Sequence, residues 1–167
     1  GSEMCIRDRI NNAGILKTAP VAESSDEMFD QTFSINVRGT FNTLREAATR
    51  LNDGGRVVNF SSTTVAMNLP NYAVYSGSKA AVEVLTPIFA KEMRGRNITI
   101  NAVAPGPVAT ELFFNGKTEA QIQQFANMPP LQRLGQPDDI SAAVAFLVGP
   151  DGGWINGQVL RANGGLA

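Results

Sequence analysis

A tyrosine and a lysine stand one helical turn apart in Tyr75-Ser76-Gly77-Ser78-Lys79. Side chains at i and i+4 share a helix face, so this spacing sets a phenol beside an ammonium. A neighbouring cation favours phenolate, which predicts a Tyr75 pKa moved down toward neutrality and a group able to act as general acid or base. The same residues also suit a plain helix start followed by a solvated lysine. Ser61-Ser62 add weight to the chemical reading, because they close the apolar run Arg56–Phe60. That puts Ser62 at the end of a strand, and ligand sites gather at the C-terminal edge of parallel sheets.

Positioning these groups requires a frame, and apolar periodicity supplies one. Ser25-Asp26-Glu27 predicts a helix start, continued by Phe29, Phe33, Val37, Phe41, Leu44 and Ala48 and ended by Gly54-Gly55. A short buried strand follows over Arg56–Phe60, and a second long helix runs from about Tyr75 to Met93. Ile98–Gly106 predicts another strand, stopped by Pro105-Gly106. Pro107–Arg133 is polar and irregular, with a short helix in Thr118–Ala126. Pro137 and two acids open a helix over Pro137–Val148, where the dipole favours them. Gly157–Gly165 closes the chain as a strand and turn. Strands alternating with helices predict one α/β domain, a doubly wound parallel sheet covered on both faces.

Composition excludes several classes. The 167 residues are 43% hydrophobic and 17% charged, an ordinary globular balance. A net charge of −1 offers nothing to recruit nucleic acid or an acidic membrane. The chain has no histidine, so imidazole chemistry and histidine metal ligation are ruled out, and no metal site is expected. The single Cys5 excludes an internal disulfide and fits a reducing, cytoplasmic setting. No apolar run is long enough to span a bilayer. Trp154 is expected to pack or to anchor an interface rather than catalyse.

Seven motifs in order carry a resemblance. They are Asn11-Asn12-Ala13-Gly14, "NVRGTF" from Asn36, "VVNFSS" from Val57, "YSGSK" from Tyr75, "NAVAPGPVAT" from Asn101, "RLGQPDDIS" from Arg133 and "NGQVLRANGG" from Asn156. From Ile10 to Ala167 the sequence resembles the short-chain dehydrogenase/reductase family, and "TELFFNGKT" and "WINGQVLRANGG" are most similar to its aldehyde and 3-oxoacyl reductase branch. The resemblance implies a Rossmann-like fold, an NAD or NADP cofactor (NADP the better match to that branch), a small carbonyl or alcohol substrate, and a dimer or tetramer formed through the two long helices. It implies Asn36, Ser62, Tyr75 and Lys79 as the catalytic set. Tyr75 would protonate the substrate oxygen, Ser62 would bond that oxygen, and Lys79 would hold the cofactor ribose and lower the tyrosine pKa. Asn36 would keep a water in line for proton resupply. By the same resemblance Asn12, Ala13 and Gly14 approach the adenosine half, Pro105-Gly106 turn the chain past the nicotinamide, and Val108 and Thr110 contact its carboxamide, with Tyr75 and Lys79 completing the cofactor contacts. Plainer readings remain open: a helix-kink asparagine for Asn36, a strand-end cap for Ser62, a tight strand exit for residues 12–14, and an ordinary loop for Val108 and Thr110.

The start of the chain does not follow the pattern. The family's strand, glycine-rich turn and pyrophosphate-binding helix are not found before Asn11. Residues 1–9 back-translate as ggc tcg gag atg tgt ata aga gac agn, which resembles a transposase mosaic-end adapter. They are therefore expected to be a non-native leader, with residues 10–167 as the C-terminal part of one domain. A Gly-Ser cloning scar explains only Gly1 and Ser2. Two functions follow as expectations: an NAD(P)-dependent oxidoreductase whose activity needs more than this chain, or a non-catalytic oligomerising remnant. In either case the chain alone is expected not to bind the dinucleotide usefully.

Overall fold

A computed structural model describes residues 6–167. Cys5 and the first four residues, with the expectations attached to them, lie outside the described residues. Four strands form one sheet in the order β1 (Ile6–Asn11), β2 (Leu51–Phe60), β3 (Thr99–Pro105) and β4 (Val159–Ala162). Every pairing is parallel, with Arg9 beside Val57, Val58 beside Asn101 and Val103 beside Leu160. Arg7, Asp8 and Arg9, assigned by sequence to the leader, thus continue the strand that ends at Asn11.

Alternation along β2 decides which layer each side chain joins, since neighbouring residues point to opposite faces. Val57 packs with Leu44, Ala47, Phe89, Ala90 and Ile100, which brings α2 (Gly39–Arg50) and α4 (Ala73–Glu92) onto one face. Val58 packs with Val103, Ile140 and Leu147, which brings α7 (Pro137–Val148) onto the other. β3 lies between, and Ile100, Ala102 and Val103 are fully buried. The sheet is an α/β, Rossmann-like layer covered on both sides, as the alternating pattern predicts.

Several boundaries differ from the sequence reading, β2 among them, which begins at Leu51 rather than Arg56. The first long helix is not uniform: α1 (Asp26–Phe33) and α2 are joined by a π turn over Ser34–Arg38, in which the Gly39 N–H reaches back to the Ser34 carbonyl. It also ends at Arg50 rather than at Gly54-Gly55, because Leu51 turns into extended backbone and its buried side chain joins the core. α4 opens two residues before Tyr75, and Ser78, Lys79, Val82, Thr86, Phe89 and Ala90 form its buried stripe at helical spacing. The irregular stretch after β3 holds α5 (Glu111–Phe114) and α6 (Glu119–Asn127), the latter started by a Thr118–Gln121 capping box. One short turn of helix, α3 (Thr64–Met67), completes the set.

A polar rung crosses the otherwise apolar layers. Asn11 Nδ2 donates to Asn59 Oδ1 at 2.8 Å, Asn59 Nδ2 donates to Thr86 Oγ1 at 3.0 Å, and Thr43 Oγ1 donates to Asn11 Oδ1 at 2.7 Å. It ties β1, β2, α2 and α4 together through buried groups that would be costly to leave unpaired.

Candidate active site

The chain leaves β2 at Phe60 and β3 at Pro105 on the same edge of the sheet, and a cleft of about 690 Å³ opens there. Ser62, Tyr75 and Lys79 line it together, with Asn12, Gly14, Pro105, Gly106, Val108 and Thr110. Ala13 is not among the lining residues, and Asn36 sits behind the wall, 1% exposed. Parallel strands ending beside one another, with helix α4 crossing their ends, bring residues far apart in sequence to this one edge.

Ser62 and Tyr75 stand close enough in the cleft for the serine hydroxyl to act on the phenol's pKa. Ser62 Oγ accepts from the Thr64 N–H at 3.2 Å and from Thr64 Oγ1 at 3.0 Å, which fixes its direction. Contrary to the sequence expectation, Tyr75 has its pKa pushed up. Burial is the main cause, the Ser62 hydroxyl opposes it, and Tyr72 adds to the rise. The phenol therefore holds its proton, the state that a proton donor requires.

Lys79 explains why no downward pull prevails. It is 5% exposed, and burial alone lowers its pKa to about 8. Its Nζ donates to the Phe60 carbonyl at 3.0 Å and lies 5.9 Å from the centre of the Tyr75 ring. The ammonium is anchored to the end of β2 and lies over the tyrosine ring.

Asn36 takes the helix-kink form. Its Oδ1 accepts from the Ile15 N–H at 2.8 Å, while Nδ2 donates to the Ile15 carbonyl and to Ser78 Oγ, both at 3.0 Å. Ser78 Oγ in turn donates to the Tyr75 carbonyl at 2.7 Å. The π turn thus grips the segment after β1 and the Tyr75–Lys79 turn of α4 at once, and such turns recur at functional sites. Sequence reading missed Ser78, although its spacing from Tyr75 and Lys79 puts it near the same helix face. Ile15 acts through backbone and left no signal in residue type.

Two glycines sit at tight points of the wall. A Cβ on Gly14 would stand 3.2 Å from Lys79 Nζ and 3.3 Å from Asn36 Oδ1. One on Gly106 would meet the Asn163 backbone at 2.9 Å. Both are places where chain or ligand must approach closely. The nicotinamide half of a dinucleotide fits this lining: small residues at Gly14 and Gly106, hydroxyls at Ser62, Tyr75 and Thr110, and a buried cation in Lys79. Among the described residues no cluster of histidine, cysteine and carboxylate side chains suits a metal. No helix there is long and apolar enough to cross a membrane.

Comparison with known proteins agrees with this geometry. The family model described as enoyl-(acyl carrier protein) reductase matches residues 9–167. A short-chain type dehydrogenase/reductase from Picea abies is 49% identical over 93% of this chain and 59% of its own length. An NADPH-dependent aldehyde reductase-like protein of Arabidopsis thaliana, described as chloroplastic, is 45% identical over the same shares. The angucycline C-6 ketoreductase LanV, solved with bound NADP, superposes with a TM-score of 0.91 at 30% identity over 97% of this chain and 63% of that one. The chain thus spans somewhat under two thirds of the length of these relatives. With seven motifs in order, a parallel sheet of matching topology and Ser62, Tyr75 and Lys79 on one cleft, the chain belongs to the short-chain dehydrogenase/reductase family.

Proposed function

We propose that a full-length protein carrying this chain is an NADP-dependent oxidoreductase that reduces a small aldehyde or ketone, or oxidises the corresponding alcohol. The observation that carries the reading is the convergence of Ser62, Tyr75 and the buried Lys79 on one cleft at the end of the sheet. A bound reduced nicotinamide supplies hydride to the carbonyl carbon. Ser62 orients the carbonyl oxygen, and Tyr75 gives that oxygen its proton as negative charge develops there. Lys79 would hold the ribose of the cofactor through hydrogen bonds to its hydroxyls, and its positive charge would work against the rise of the Tyr75 pKa. Asn36 positions Gly14 and Ile15 against Lys79, beside the route proposed for proton resupply through water. The backbone of Asn12, Ala13 and Gly14 would run along the adenosine side although the Ala13 side chain does not line the cleft, and Pro105, Gly106, Val108 and Thr110 would lie along the carboxamide. The choice of NADP over NAD rests on the relatives named NADPH-dependent or solved with NADP.

In that protein, Tyr75→Phe should lower carbonyl reduction by about 10²- to 10⁴-fold while NADPH affinity stays within about twofold, because only a proton donor is removed. Near-normal turnover in the variant would overturn the assignment. The chain alone is proposed to hold the dinucleotide more weakly than about 1 mM, since a few hydrogen bonds hardly offset the cost of ordering a flexible ligand. Saturable NADPH fluorescence in the micromolar range would contradict this.

Self-association belongs to the same reading. Phe29, Phe41, Val84 and Ile88 are 46–60% exposed on α1, α2 and α4, an outward apolar surface that suits a homo-oligomer. Sedimentation as a compact monomer at micromolar concentration would speak against it. The proposed location is cytoplasmic, although two relatives are described as chloroplastic.

A further inference from the structure

The cleft's second wall has a charge pattern that the carbonyl chemistry does not use. No carboxylate lines the cleft, yet two lysines do. Lys79 belongs to the reacting end. Lys117 stands on the loop between α5 and α6, half-buried, with its Nζ 2.7 Å from the Phe113 carbonyl and 4.7 Å from the centre of the Phe113 ring. Phe125 meets the same ring edge-on at 5.5 Å. Among the described residues Lys117 forms no ion pair. Partial burial pulls its pKa below the usual lysine range. An ammonium has three protons, and one carbonyl and one ring face leave capacity for a further acceptor. A cation in a partly desolvated, acid-free cleft attracts an anion more strongly than one in bulk water does.

We infer that the cleft takes carbonyl compounds bearing an anionic group remote from the carbonyl, with Lys117 recognising that group and Phe113 and Phe125 receiving an apolar or aromatic body. This rests on the carbonyl reading of the cleft given above. Lys117 then acts as a specificity-determining residue: it selects among substrates without touching the reacting atoms.

Equilibrium dialysis of the chain with four ketone probes tests it. The probes are 4-acetylbenzoate, its neutral isostere 4-acetylbenzamide, and the corresponding biphenyl pair, which spans a longer cleft. The carboxylates should be retained about fivefold better than the amides, a factor at the upper end for a half-exposed pair. Lys117→Met should erase that preference while leaving amide retention unchanged, Lys117→Arg should keep it, and high salt should weaken it. Equal retention of carboxylate and amide at both lengths overturns the inference and leaves the carbonyl reading standing. Retention of none of the four also overturns the inference, while the carbonyl reading stands or falls on the turnover of Tyr75→Phe in the full-length protein. A parallel loss of carboxylate and amide in Lys117→Met assigns the lysine a merely structural role. That result also overturns the inference.

Discussion

Strands β3 and β1 belong to one parallel sheet and live in different environments. Along β3 every residue from Thr99 to Ala104 is buried, whereas β1 is exposed or half-exposed until Asn11. β3 pairs on both sides, with β2 and β4, and carries helices on both faces. β1 pairs only with β2 among the described residues, and Ile6 and Ile10 remain 41% and 39% exposed. Burial on all sides is what allows β3 to end in a rigid Pro105-Gly106 turn and to set one wall of the cleft. At β1 only the last residue, Asn11, is locked, through the polar rung to Asn59, and it is the segment just after it that reaches Lys79.

Cavity formation tests that contrast most severely. Ile100→Ala, in the middle of β3 and fully buried, should cost about 2–5 kcal/mol. Ile6→Ala on β1 should cost under about 1 kcal/mol, since little area is recovered from water there. Denaturant melts of the two variants give the comparison directly, and similar losses would mean that β1 is covered in solution.

Next in size is the cost of burying Lys79 beside the end of β2. A lysine with a lowered folded pKa disfavours its charged form in the fold. The penalty is therefore complete below about pH 8 and fades as pH rises toward 10.5. At about 1.4 kcal/mol per pKa unit, the chain should gain about 3–4 kcal/mol over that window relative to Lys79→Met. Parallel pH profiles of the two would refute the burial. Tyr75 supplies a companion reading: its absorbance change to tyrosinate should occur above pH 10, and ionisation near neutrality without cofactor would contradict the burial-dominated site.

The polar rung predicts a smaller loss. Asn59→Ala strands Asn11 Nδ2 and should cost about 1–3 kcal/mol, with hydrogen exchange speeding up at β1 before β3. Trp154→Ala sits at the bottom of the scale: the ring is 99% exposed, and monomer stability should move by no more than about 0.5 kcal/mol. A larger change, or a shift in sedimentation, would show that Trp154 is an interface residue.

Residue type and spacing were enough for the frame and for part of the site. β-branched runs at Val57-Val58 and Ile98–Val103 declare buried strands, because such residues pack well on a two-sided sheet. The stripe on α4 declares a helix because every third or fourth residue is small or apolar. Tyr75 and Lys79 could be paired from their spacing alone, and the end of an apolar run marked Ser62. Tertiary structure decided what depends on neighbours distant in sequence. The π turn at Ser34–Arg38 exists where the Asn36 amide bonds Ile15 and Ser78, groups that no local pattern links to it. The direction of the Tyr75 shift could not be read from the Tyr75–Lys79 spacing, since desolvation is set by everything that packs around both groups. Local spacing determined which groups share a helix face, and the packing of the sheet edge determined how wet, how charged and how tightly held those groups are.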